Sequence, residues 1–320
     1  MPNLDQVNNE SQDTLQNPEH TILMTGIKAS RALDKVLSQT PTDEKRDFRR
    51  WGEIGGFCAM LIGAKPVLDT PENWTFGRPL LEKMIVEDPS LKFAFDTKTP
   101  TYQFINREAL LQAMRQNPDY FPDPVNYDQA KDFFLKTYHL GLDPQGKDPE
   151  EFTKTVVQTG LFLGYPKEES KKMAQHIQKG FHEMYELIEF TNPKEVFEKT
   201  GISPEHLKIL RDYQEVTIHH SKGTLNQNIQ KAATMKKQVA EILDQASGID
   251  PVLKEFFLSR QGYLFNQVGW VGYNDSNASI DAMKKIHDRF QATGMKEVLV
   301  KHDMVLQGHN ISSYLPIKAA

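Results

Sequence analysis

A chain of 320 residues with 38% hydrophobic and 25% charged side chains has the make-up of an ordinary soluble protein, long enough for one large core or two smaller ones. A net charge of −5, with basic residues interleaved among acidic ones, gives no general attraction to phosphate and speaks against a nucleic-acid partner. The single cysteine excludes an intramolecular disulfide, and no apolar run approaches the roughly 20 residues that a bilayer crossing demands.

The first 19 residues, rich in Asn, Gln, Asp and Glu, read as a disordered lead. They offer no secretory signal, so the cytoplasm is the default location; export by a non-classical route would leave the same sequence. Ile22, Leu23, Ile27, Leu33, Val36 and Leu37 recur at helical spacing and predict a first helix to about Gln39. Thr42-Asp43-Glu44 should start a second helix through Trp51, and Gly55-Gly56 should break it, leaving Cys58 in the first turn of a new helix that ends before Pro66. Pro66 to Pro79 reads as irregular, followed by a short helix from Leu80 to Glu87.

Alternation at Leu91, Phe93 and Phe95, then Tyr102 to Ile105, predicts a β-hairpin over about 91–105. Helices are expected over Arg107–Gln116, Tyr127–Leu140 and Asp148–Leu163, and one long helix from Pro166 to about Phe190. A cap residue followed by proline and acid recurs at Asp148-Pro149, Asn192-Pro193 and Ser203-Pro204, with a cap and proline again at Asp250-Pro251, each a helix start. From Glu205 to Ala246 the pattern fits one long helix or two in a hairpin. Gln267 to Asp275 reads as a loop, and Ser279 opens a helix that ends at Gly294. Val298–Val300 and Met304–Leu306 fit two short strands or a helical turn with an extension. The sum is a mainly α, multi-helix globular protein with one small hairpin, in helical subdomains 20–147 and 148–320 that can pack as one domain.

Cys58 is the first candidate for chemistry. Behind a Gly-Gly pair and at a helix start, backbone N–H groups would lower its pKa, and His219 or His220 would serve as base in a thiol hydrolase or transferase. Flanked by Phe57 and Ala59-Met60-Leu61-Ile62, the same residue also reads as a small buried hydrophobe, and that reading is preferred. His182-Glu183-Met184-Tyr185-Glu186 has half of a zinc-protease helix, but Glu186 holds the second histidine position, so no metal site is expected. His302-Asp303 and His309 could supply a base or ligands, though tail histidines are usually surface residues. Trp270 and Tyr273 could wall a small-molecule pocket. Dinucleotide, P-loop, nucleophile-elbow and CxxC signatures are all lacking, so no cofactor is expected.

Gly160-Leu161-Phe162-Leu163-Gly164-Tyr165-Pro166 resembles a short FLGYP box in an uncharacterised bacterial family of unknown function. Cys58-Ala59 with Gly63 and Lys65 is similar to that family's early Cys/Gly/Lys segment. The resemblance implies a bacterial origin and that the two boxes pack together; it implies no activity. Many amphipathic helices without a full catalytic signature make a protein partner the leading expectation, ahead of a cysteine enzyme and a small-molecule binder.

Overall fold

The computed structural model describes residues 18–41, 54–70, 77–96, 102–139, 148–219, 225–261, 272–273 and 277–302. It is mainly α-helical with one small three-stranded antiparallel sheet. The described residues fall into two compact units: those within Met1–Gly141, Gln158–Tyr165 and Lys284–Leu306, and those within Leu142–Val157 and Pro166–Met283. Sequence reading takes 20–147 and 148–320 as consecutive blocks, whereas these units interleave along the chain.

The first unit is assembled on α1 (Pro18–Gln39), which buries Ile22, Ala29, Leu33, Val36 and Leu37 along one stripe. Next comes α2 (Ile54–Leu61), which runs through Gly55-Gly56 where a break is expected. Two helical glycines cost about 2 kcal/mol. Ile54, Phe57, Cys58, Met60 and Leu61 are all buried, and full burial is worth about 1.5–3 kcal/mol for each large aliphatic or aromatic side chain, so tertiary packing wins. The helix expected over 42–51 lies outside the described residues.

After a left-handed turn at Gly63 (φ 72°) the chain enters β1 (Val67–Thr70), a strand within the stretch read as irregular. Then follow α3 (Gly77–Glu87), β2 (Phe93–Asp96), β3 (Tyr102–Asn106), α4 (Arg107–Arg115) and α5 (Tyr127–His139). β2 and β3 form the expected hairpin, with Phe95 opposite Phe104; β1 pairs with the other side of β3, with Leu68 opposite Phe104. The strand order β1-β3-β2 leaves β2 at an edge.

Period-two alternation gives the sheet two faces. One carries Phe95 and Phe104; the Phe104 ring meets Phe57 of α2 edge-on at 5.8 Å. The other carries Val67 and Ile105, which cluster with Leu110, Met114, Phe121, Phe134 and Phe162. Asn106 joins strand to helix: its side-chain oxygen caps α4 by accepting from the Ala109 N–H, while its amide donates to the Met60 carbonyl at 3.0 Å.

In the second unit, Asp148 caps α6 (Pro149–Phe162) by accepting from the Glu150 and Glu151 N–H groups; residues of α6 from Gln158 onward belong to the first unit. The long helix expected to Phe190 is two, α7 (Lys167–Gln178) and α8 (Phe181–Glu189), because Gly180 adopts φ 86° and ends the ladder. Then come α9 (Pro193–Thr200) and α10 (Pro204–Gln214), capped by Asn192 and Ser203. A π-helical turn, Glu215–His219, follows; with the separate α11 (Leu225–Gln245) it resolves the 205–246 stretch into two helices. α12 (Pro251–Ser259) leads to β4 (Arg260–Gln261), paired with β5 (Gly272–Tyr273). Leu207, Leu210, Tyr213, Val239, Leu243 and Phe257 lie in this unit's main core cluster.

α13 (Asn277–Ala292) runs from the second unit into the first, and α14 (Met295–Lys301) belongs to the first. Val298–Val300 is therefore helix and not strand, with Val298 and Leu299 buried; Met304–Leu306 lies outside the described residues. Among the described residues no helix is long and apolar enough to cross a membrane.

Candidate binding cleft

A cleft of about 390 Å³ opens in the first unit, within the 300–1,000 Å³ range usual for binding sites. Arg78, Leu81, Glu82 and Ile85 line it from one face of α3, at the i, i+3, i+4, i+7 spacing of a helix. Phe93, Ala94 and Phe95 of β2 also line it, and Arg107, Tyr127, Asp128 and Lys131 close the other side from the N-terminal ends of α4 and α5.

Residues from both faces of β2 line the same space, so the cleft lies along that strand's outer edge. Its backbone orientation follows from one bond: the Arg107 N–H donates to the Lys92 carbonyl at 3.1 Å, one step beyond the pair Phe93 and Asn106 in the same register. Lys92, Ala94 and Asp96 therefore direct their backbone groups toward β3, while those of Phe93 and Phe95 point outward to the cleft.

The cleft's charges are set on aromatic surfaces. The Arg78 guanidinium lies 5.0 Å from the centre of the Phe95 ring and pairs with Glu82 at 2.8 Å. Lys131 pairs with the buried Asp96 at 3.1 Å. Arg107 lies 4.7 Å over the Tyr127 ring, and no carboxylate among the described residues pairs with it. Burial pushes the Tyr127 hydroxyl up to about 12, with Asp96 and Asp128 adding to the rise and Arg107 opposing it. That hydroxyl is buried without a hydrogen-bond partner among the described residues and stays protonated at neutral pH.

No family model, curated protein or solved structure matches the chain. What the cleft can do therefore rests on its own chemistry: it offers cations and ring faces to a binding partner.

Cys58 is fully buried in the second turn of α2, away from the helix start that would activate it, and desolvation drives its thiol far above the ordinary range. It is the small buried hydrophobe of the preferred reading. His219 ends the π-helical turn, but its side chain and the whole of His220 lie outside the described residues. So do Trp270 and the side chain of Tyr273, whose backbone pairs with Arg260. Among the described residues no group of three or more His, Cys, Asp or Glu is placed to hold a metal ion.

His302 is buried, with its Nε2 2.7 Å from an Asp34 carboxylate oxygen. Lys301 reaches both oxygens of that carboxylate at 2.8 Å, and this bond is the main cause holding the Asp34 carboxyl below its usual range. The trio ties α14 to α1. Sequence reasoning passed over Arg78, Arg107, Tyr127 and Lys131. Tyr127 and Lys131 are four apart on one helix, and Arg107 follows directly on a strand, so spacing held part of the signal. Their convergence depends on strand pairing that no local pattern encodes.

Proposed function

We propose that this chain is a binding protein that holds a protein partner in the cleft along the outer edge of β2. The observation that carries the reading is Arg107, a cation that lines the cleft stacked on Tyr127 and has no carboxylate partner among the described residues. Burial of Cys58 weighs against the competing thiol-enzyme reading, since a nucleophile must reach solvent as thiolate. One free, buried cysteine also suits work in the reducing cytoplasm.

The test is partner capture by four forms of the protein: wild type, Cys58→Ala, Arg107→Glu and Lys131→Glu. The reading expects Cys58→Ala to retain whatever the wild type retains and Arg107→Glu to lose it. Capture that survives both cleft substitutions overturns the reading. An iodoacetamide probe that labels the native Cys58 thiol as fast as a free cysteine would favour the enzyme instead.

A further inference from the structure

A second groove, separate from the cleft along β2, opens where α1 begins and has a volume of about 640 Å³. Pro18 and Ile22 line it from the first turns of α1, Leu111 and Arg115 from α4, and Pro124 and Val125 from the segment that precedes α5. Val125 is exposed and Leu111 half-buried, so apolar surface in this groove faces water.

The charges around it are matched from within. Glu108 pairs with Lys92 at 3.1 Å, and Arg115 stands 3.7 Å from Asp123 while donating to the Pro124 carbonyl at 3.1 Å. A fitting occupant is therefore apolar and uncharged, since an added charge would lose its water without gaining a partner.

The chain itself brings such an occupant to the rim. Residues 1–17 lie outside the described residues, and they join the described chain at Pro18, a residue of the groove. The four positions before it, Thr14-Leu15-Gln16-Asn17, carry no charge and include one large apolar side chain. Leu15 is three residues from Pro18, a reach of about 10 Å along an extended chain. Tethering supplies an effective concentration in the millimolar range, about a thousandfold above that of a free partner at about 1 μM.

We propose that this groove is the docking site of the chain's own residues 14–17, with Leu15 seated against Leu111 and Val125. The tether lets a contact too weak to hold a free peptide keep the groove filled.

Thiol labelling of the full-length protein tests this. Val125→Cys places a thiol in the groove, and Val86→Cys places one on α3 as the reference; the two positions are 77% and 78% exposed, and native Cys58 is fully buried. An iodoacetamide probe, read by peptide mapping, should label the Val125→Cys thiol at least fivefold more slowly than the Val86→Cys thiol. Adding Leu15→Asp should bring the two rates within twofold without changing the reference, and adding Leu15→Met in its place should keep the groove thiol slow.

A groove thiol that reacts as fast as the reference and ignores Leu15→Asp overturns the proposal. Slow labelling that Leu15→Asp leaves unchanged overturns it too, and a rate that then rises on dilution makes a second copy of the chain the occupant. None of these outcomes touches Arg107, so each leaves the reading of the β2 cleft where it stands.

Discussion

His176 shows how burial sets the chemistry of one side chain. It sits in α7 with 7% of its surface exposed, and desolvation, helped by the neighbouring Lys172 charge, lowers its pKa from 6.5 to about 4. The folded protein thus keeps this imidazole neutral at a pH where the unfolded chain binds a proton. Stability linked to it is complete above about pH 6.5 and is lost as the pH falls from there toward 4. The loss amounts to on the order of 2–3 kcal/mol. Urea unfolding of wild type and His176→Gln at pH 7 and pH 4.5 isolates it: the gap between the two proteins should shift by about that amount in favour of the variant at the lower pH. Gly63 is constrained by geometry in place of solvation. Its φ of 72° is disfavoured for L side chains, an added Cβ would collide with the Ile22 side chain, and its carbonyl accepts from Arg289 at 2.8 Å. Gly63→Ala should lower stability by about 2–4 kcal/mol in thermal or denaturant unfolding, combining backbone strain and overpacking.

At the scale of elements, the parts that could be read from sequence are those whose cause is local. Asp148, Asn192 and Ser203 each accept from a backbone N–H of the following turn, as their positions before proline and acid imply. The β2–β3 hairpin was legible because Phe93 and Phe95 alternate with polar or small neighbours over a short span. β1 was not legible: Val67–Thr70 is four residues long and is a strand because β3 lies beside it. Nor was the continuity of α2, where the burial of Phe57, Met60 and Leu61 outweighs two glycines that taken alone signal a break. Gly180 was the reverse case. The helical pattern continues across it, yet its left-handed φ divides α7 from α8. The cleft combines both situations. Its α3 and α5 walls follow from helical spacing, but the outward direction of Phe93 is fixed by the Arg107–Lys92 bond at the end of the β2–β3 pairing. Asn106 belongs to the same logic, since one side chain caps α4 and holds the α2 carbonyl of Met60, which places Arg107 at the cleft.

For the molecule as a whole, the interleaving of the two units decides which pieces of chain can fold. A boundary at 147/148 looks natural, because Asp148-Pro149 is a strong helix start. Yet the first unit's buried side chains include Phe162, Ile286, Phe290, Met295, Val298 and Leu299, all from beyond that point. Full burial of six such side chains is worth about 9–18 kcal/mol at 1.5–3 each. Net domain stabilities are only about 5–15 kcal/mol, so a fragment covering 18–147 lacks enough to stay folded. Polar ties are lost with them: Arg289 donates to the Gly63 carbonyl and pairs with Glu19, while Lys301 and His302 hold Asp34. The fragment should therefore show no cooperative thermal transition, and the Phe93 amide should exchange as in an unfolded chain. Supplying residues 284–302, by fusion or as a separate peptide, should restore part of the protection by returning five of the six side chains and Arg289. A fragment 18–147 that melts cooperatively by itself would mean that α1, the sheet and α3 to α5 suffice. The segments following residue 147 would then add burial to a fold that does not need them.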